Sequence, residues 1–544
     1  MAEHQTWQAL AAERREQLDL LIPAEWRLSE EFKSSLPADG RLLRANPVQK
    51  SGILSDAELD ITENYSAAQL LQRLAWGEVS SLAVTTAFCK RAANAQQLTS
   101  CLTEHFFSQA LERARYLDEY LKRKGKVVGP LHGLPISVKD TYRVKGVHAT
   151  IGYVSFLKNG VAKENSALVN LLLDLGAVLY VKTNLPQTMM TADSDNNIYG
   201  RTLNPHNTNL TAGGSSGGEA ALVAFRGSIL GMATDIAGSI RIPALCCGVY
   251  GFKPTANRIP FGGQVTGAAE ETPMIEPSAG PLAQTLDDIE LFMSSVLNAE
   301  PWKYDISAVA APWNRQAESQ SLLTVGILPE DTHFPFHPPV RRALESAIEA
   351  LKKKGHRIIR LSNDPSRDVA FANRLAFDYF TYGPRPDHVT PSGEPLVISV
   401  AKGPSPMFSG PSLLSQDLGV FERISTLSEA RKNYRDAWRK TIVDNSLDVI
   451  LAPGAQNTAV PHDTYGWPPY TAVWNLVDYP ACIIPYGKAS RELDPGPVLV
   501  KGDQPSYDPE AVDGAPCALQ IVAPRFQDEK CLAAARVIDR DIRF

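Results

Sequence analysis

The chain has 544 residues, 44% of them hydrophobic and 21% charged, with a mean hydropathy of −0.17, the composition of a soluble globular protein able to bury a large core. Its 54 Lys and Arg against 60 Asp and Glu leave a net charge of −6, which argues against a basic face for nucleic acid. Seven cysteines, an odd number, exclude a disulfide-built scaffold.

The first thirty residues are studded with charge (Glu13, Arg14, Arg15, Glu16, Asp19), and the apolar run Leu18–Ile22 is broken by Asp19. No secretory core of about 7–15 apolar residues is present, and no stretch approaches the ~20 needed for a membrane span. The expected setting is a reduced, cytoplasmic one. Residues 1–60 read as an N-terminal helical and loop segment packing on a core formed by 61–544. Ser66 with Gln69 makes a capping-box pattern, followed by Leu70, Leu71 and Leu74 at helical spacing. Helix formers dominate up to Leu121, including Ala110–Tyr120. Short β-branched runs then alternate with helical stretches: Ile136–Val138, Ser166–Leu175, Val178–Val181. The alternation resumes with Thr324–Leu328, a helix over Val340–Lys354 ending at Gly355, then His356–Leu361, Asp448–Ala452, Ala481–Pro485 and Ala518–Val522. This texture predicts an α/β layered fold, and no linker divides it. Seven of the 39 prolines fall in Pro384–Pro411, which reads as a long excursion, either a lid or an ordered wrap over the surface.

Glycine is concentrated. Nine of the 37 lie between Gly213 and Gly251, where an even spread would place about 2.7. Clustered glycines leave backbone N–H groups free to face an anion or a developing oxyanion. The polar residues among them are mostly serines: Ser215, Ser216, Ser228 and Ser239. A phosphate loop is disfavoured, because Glu219 and Ala220 stand where Lys and Ser/Thr would follow the glycines. Gly213–Gly217 fits the G-x-S-x-G elbow, yet the preceding Asn204–Asn209 is loop chemistry where that elbow needs a strand. A third reading joins three places: Lys139 at the end of an apolar strand, Ser215 in a loop opening onto a helix over Glu219–Phe225, and Ser239 after small residues. Alone, each has an ordinary explanation. Lys139 would be solvated, Ser215 a helix N-cap, and Ser239 a loop serine.

Together they are recognisable. Ala212-Gly213-Gly214-Ser215-Ser216-Gly217-Gly218-Glu219, Thr234-Asp235-Ile236-Ala237-Gly238-Ser239-Ile240-Arg241-Ile242-Pro243 and Gly248–Thr255 closely resemble the amidase signature family. Leu131–Pro135, Thr183–Gln187 and Gly200–Pro205 look like further landmarks. Thr471–Pro480 and the opening Thr6-Trp7 with Leu21-Ile22-Pro23 resemble its fungal acetamidase-like branch. The resemblance covers nearly the whole chain. It implies a single large α/β/α domain with a mixed central sheet, and hydrolysis of a carboxamide to a carboxylate and ammonia or an amine.

By that resemblance Ser239 is the nucleophile, Ser215 the bridging serine and Lys139 the terminal base. The chemistry is coherent, since a serine hydroxyl needs an adjacent base and a hydroxyl can donate and accept at once. An ammonium cannot take a proton, so Lys139 must be neutral. Lowering its pKa by ~3 units needs ~4 kcal/mol of bias, which burial supplies with the right sign. The neighbouring Asp140 carboxylate must then point away. The resemblance also places an oxyanion hole at the N–H groups of Ile236, Ala237, Gly238 and Ser239. Ala237 departs from the family's usual glycine, and a positive φ there would be strained. Thr188 and Ser216 are expected to bond Lys139 or the relay, and Asp235 and Arg241 to pair and brace the loop. Met189, Met190 and Trp474 are candidate substrate contacts, with core filling the alternative for the methionines. Cys246-Cys247 reads as apolar packing, and the ten histidines form no H-E-x-x-H pattern, so no metal or other cofactor is expected.

Four alternatives remain open: an esterase, a fatty-amide-type hydrolase on the same triad, a glutamine-dependent amidotransferase subunit, and a non-catalytic binding protein that kept the fold. Small aliphatic, medium-acyl and aryl amides all fit. A homodimer is the default oligomer.

Overall fold

The computed structural model describes residues 6–268, 275–314, 321–382, 386–403, 412–415, 417–498 and 505–543. Among them eleven strands form one sheet: β1 (Leu102–His105), β2 (Pro135–Lys139), β3 (Val178–Thr183), β4 (Leu230–Asp235), β5 (Tyr250–Lys253), β6 (Ser278–Ala283), β7 (Thr324–Ile327), β8 (Arg357–Arg360), β9 (Val449–Pro453), β10 (Ala481–Lys488) and β11 (Pro516–Val522). Their order is β1-β3-β2-β4-β6-β5-β10-β11-β9-β7-β8. The pairs β3-β2-β4 and β9-β7-β8 are parallel, and the centre from β4 through β6, β5, β10 and β11 to β9 is antiparallel. This is an α/β fold on a mixed sheet. Most strands read as unbroken buried runs, as expected when helices cover both faces.

Local sequence explains the helices. The Ser66–Gln69 capping box is formed and opens helix Ala67–Trp76, closed by Gly77. Helix Pro338–Lys353 carries Pro at its first turn, where a missing N–H costs nothing. It turns Val340, Ala343, Leu344, Ala347, Ile348 and Leu351 inward at three- and four-residue spacing. The N-terminal segment contributes Ile22, Trp26, Val48 and Leu54 to the main core. Helix Trp7–Leu20 docks Arg14 onto the buried Glu104 of β1.

Four strands, β1, β4, β5 and β6, escape a reading by pattern, two of them for a visible reason. β1 holds Glu104 and His105, both buried, and β6 holds Gly280 and Pro281 between two neighbours. Their polar or proline content hides them. Of the proline-rich excursion, residues 386–403 form an ordered wrap with a 3₁₀ turn at Thr390–Ser392 and a short α-helix, Ile398–Ala401. Pro384, Pro404, Pro406 and Pro411 lie outside the described residues. Glu394 anchors the wrap, accepting from Val154 N–H at 2.8 Å, Gln187 Nε2 at 2.9 Å and Asn197 Nδ2 at 2.9 Å.

Candidate active site

Two parallel strands end side by side and set the site. β2 ends in Lys139 and β4 runs out through Thr234 and Asp235. The loop after β4 carries Ser239 into helix Arg241–Cys247, and the loop before helix Gly217–Ala224 carries Ser215. No strand enters the Ser215 loop, which instead hangs from an isolated bridge between Leu203 and Thr211, so the elbow geometry is absent. Ser194 clamps this loop: its hydroxyl donates to the Gly213 carbonyl at 2.9 Å and accepts from Gly217 N–H at 3.1 Å. A Cβ on Gly214 would collide with the Thr191 carbonyl and Ala192, so glycine allows the loop to press on the 188–192 turn. That turn is itself strained, with Thr188 at φ 72° and Met189 at φ 59°.

Lys139 Nζ lies 2.7 Å from Ser215 Oγ and 3.1 Å from Thr234 Oγ1. Exposure rises along the series from 0% at Lys139 through 3% at Ser215 to 7% at Ser239, so the outermost of the three hydroxyl and amine groups is Ser239. Burial pushes the lysine down to about 7, against the opposing pull of Asp235 and Glu219. Asp140, next in the chain, points away. Its carboxylate pairs with Lys182 at 3.0 Å and accepts from Thr103 Oγ1, Thr150 N–H and Ile151 N–H.

The turn after β4 is built on Asp235. One oxygen accepts from Gly238 N–H at 2.8 Å and Arg241 Nη2 at 2.9 Å, the other from Ile240 N–H and Arg241 Nε, both at 3.0 Å. Arg241 is fully buried and also donates to the Thr471 carbonyl and Gln520. Burial alone would raise the Asp235 carboxyl, yet the Arg241 guanidinium, with Lys253 and Asn475, holds it near 2. Thr471 Oγ1 donates to the Ala237 carbonyl at 2.6 Å, which fixes the next peptide.

Gly238 therefore cannot serve an oxyanion, because its N–H is spent on Asp235. Among the described residues the N–H groups of Ile236, Ala237 and Ser239 have no partner in the protein and remain available. The positive φ of the turn, +136°, falls on Gly238, and Ala237 has none, so alanine is unstrained there. Other expectations are also corrected. The second hydroxyl on Lys139 belongs to Thr234, neither to Thr188 nor to Ser216. Ser216, not Ser215, is the N-cap residue of helix Gly217–Ala224, and its hydroxyl reaches the Thr234 carbonyl at 3.4 Å. Trp474 is fully buried between Trp438 and Tyr479, with ring centroids at 5.1 and 6.4 Å, and touches no solvent-open site. Met189 packs into a small apolar cluster with Ile151, Tyr153 and Leu185, whereas Met190 is half exposed.

Several supporting residues lay beyond a sequence reading. Thr234, Ser194, Thr471, Asn475 and Gln520 are ordinary polar residues until the fold brings them together. Glu219 is another: fully buried, it accepts from Thr183 Oγ1 at 2.7 Å, and its other oxygen touches Ser137 Oγ. All seven cysteines are buried and free. Among the described residues no group of three His, Cys, Asp or Glu side chains is placed to hold a metal, and no helix is long and apolar enough to cross a membrane.

A hydroxyl held on a buried amine whose pKa burial lowers to about 7, with a turn of unpaired N–H groups following the next strand, is the kind of equipment acyl transfer uses. The amidase family model matches residues 83–532. An amidase of Gibberella moniliformis is 42% identical over 98% of both chains. An acetamidase of Emericella nidulans is 38% identical, again over 98% of both. The solved structure of a fatty acid amide hydrolase superposes with a TM-score of 0.87 at 31% identity, covering 99% of this chain and 95% of that one. A bacterial aryl acylamidase at 21% identity and a TM-score of 0.68, covering 88% of this chain and 96% of its own, shares the fold. The chain belongs to the amidase signature family, in the company of the fungal acetamidases, and is a hydrolase of amides.

Proposed function

We propose that the protein hydrolyses carboxamides through an acyl-enzyme on Ser239, with Ser215 and Lys139 as its proton relay. One observation carries the reading: a fully buried lysine, held down to about 7 by its burial, sits 2.7 Å from the hydroxyl of Ser215. Ser239 attacks the amide carbonyl as its proton passes to Ser215 and the Ser215 proton passes to Lys139. The negative oxygen that forms is received by the N–H groups of Ile236, Ala237 and Ser239. The relay then runs backwards and protonates the leaving nitrogen, which amides require because an amide anion leaves poorly. Water releases the acid by the same route.

Small aliphatic amides are the first substrate class, supported by the likeness to acetamidases over nearly the full chain. Fatty amides are the second, supported by the likeness to a fatty acid amide hydrolase at 31% identity. Aryl amides and esters extend the same chemistry. The amide is the one partner this mechanism needs, and a homodimer in the cytoplasm completes the reading, to be tested by light scattering and cell fractionation. The decisive test is a panel of amides graded by acyl length, run with the wild type, Ser239→Ala and Lys139→Ala. Both variants are expected to lose at least about 10³-fold in kcat/KM. Near wild-type hydrolysis by both would end the proposal. Inertness of the folded wild type on every amide and ester would point to a binding protein.

A further inference from the structure

Beneath the relay, Glu219 meets a short chain of oxygens. Its Oε1 touches Ser137 Oγ, which lies 2.7 Å from Ser228 Oγ, which lies 3.0 Å from the Leu230 carbonyl oxygen. If each of these three oxygen–oxygen contacts is a hydrogen bond, three protons are needed, and the Tyr180 hydroxyl that also reaches Ser228 spends its own on the Gly227 carbonyl. The two serine hydroxyls carry one each, and a carbonyl carries none. The missing proton can come from Glu219. Its other oxygen already accepts the Thr183 hydroxyl.

From this count we infer that Glu219 is a neutral carboxylic acid in the active enzyme, donating to Ser137, and thereby keeps Lys139 free of an anion that would turn the base into an ammonium. Ser137 then donates to Ser228, and Ser228 to Leu230. Glu219 touches no reacting atom and is a positioning residue acting through Lys139. Its role rests on Lys139 being the base.

The surroundings agree. Burial pushes the Glu219 carboxyl up to about 7, and only the charge of Lys139 and its two hydroxyl partners pull against that. With the amine uncharged that pull vanishes and the acid is favoured further. With the acid uncharged, Lys139 in turn loses one of the two carboxylates that favour its ammonium, and the other, Asp235, is neutralised by Arg241. Neutral lysine and neutral glutamic acid thus support each other. The remaining ionisable groups on the elements packed around helix Gly217–Ala224 do not disturb the pair. Cys89, Cys101, Tyr142, Tyr180, Cys246 and Cys247 are held uncharged by burial, and Lys90 is paired with Glu58. Arg91 is turned to Glu63 and the Phe225 carbonyl, and Lys182 is paired with Asp140.

Infrared spectroscopy of the resting full-length enzyme at about pH 8, compared with Glu219→Gln, tests this. The expected result is a protonated-carboxyl stretch in the wild type that the variant lacks. Absence of that difference band would overturn the inference. Should Glu219→Gln fail to fold, Ser137→Ala serves: losing the acceptor must move the band to higher frequency, and an unmoved spectrum contradicts the proposal. The pH profile gives a second readout. Glu219→Gln should leave the acid limb of kcat/KM within about 0.3 unit of its wild-type position, whereas removal of a real anion would carry it about one unit or more to lower pH. The infrared band reports Glu219 whether or not Lys139 is the base. Full activity of Lys139→Ala would strike the catalytic reading alone.

Discussion

At the residue scale, Lys139 sets stability against the base role proposed for it. Held down to about 7, it accepts a proton only when already an amine, so kcat/KM is expected to rise through a single ionisation near that pH. A profile flat from about pH 5 to 9 would contradict the assignment. The same burial weakens the fold. Because the folded pKa lies below the ordinary lysine value of 10.5, the native state binds fewer protons than the unfolded chain between about 7 and 10.5. Stability therefore rises with pH across that window, and the lysine is most costly at neutral pH and below. Lys139→Met should abolish activity while raising the unfolding free energy at neutral pH by about 1–3 kcal/mol, read by denaturant titration. The opposite holds at Asp235, whose carboxyl burial would raise but Arg241, Lys253 and Asn475 hold near 2. Asp235→Asn leaves the guanidinium buried without its charge partner, and a loss of about 3–5 kcal/mol is expected in the same titration.

Elements explain why the turn after β4 was partly legible. The run from Thr234 to Arg241 announces itself because small residues and a serine must follow the strand end closely, and the pairing of Asp235 with Arg241 needs only a turn of six residues. What could not be read is which N–H each carboxylate oxygen occupies, since that follows from the φ of +136° at Gly238. Thr234, Thr471 and Ser194 were equally hidden. A threonine on a strand or helix looks the same whether it faces solvent, core or a lysine. Trp474, expected as a substrate contact, is turned into the core by helix Pro469–Val477, which presents Thr471 and Asn475 towards the site. Two substitutions test the turn. Gly238→Ala puts a methyl into Thr471 and Ile242 at a φ that side chains avoid, and should lower kcat by roughly 10²-fold or more. Ala237→Gly should stay within about threefold of wild type, because no strain exists there to relieve.

Across the whole molecule, alternating strand and helix runs revealed the layered class but not the sheet order. β1 and β5 have four residues each, and β1 and β6 hold buried charge or proline, so the antiparallel centre emerges only from pairing. The wrap at 386–403 reaches the loops beside Ser215 chiefly through the Glu394 carboxylate, with the Pro395 carbonyl, Val397 N–H and Ser399 adding contacts to Gln187, Asn197 and Thr191. Glu394→Ala removes three donors' common acceptor and should raise KM and proteolytic nicking of this segment, with kcat less affected. Unchanged KM and protease resistance would show the wrap to be independent of the site.

The central claim is acylation of Ser239 by way of a neutral Lys139. Fluorophosphonate labelling followed by peptide mass spectrometry addresses it directly. A single adduct on the peptide bearing Ser239, abolished by Ser239→Ala and strongly slowed by Lys139→Ala, is the result expected. An adduct on Ser215, or labelling that survives Ser239→Ala, would contradict it.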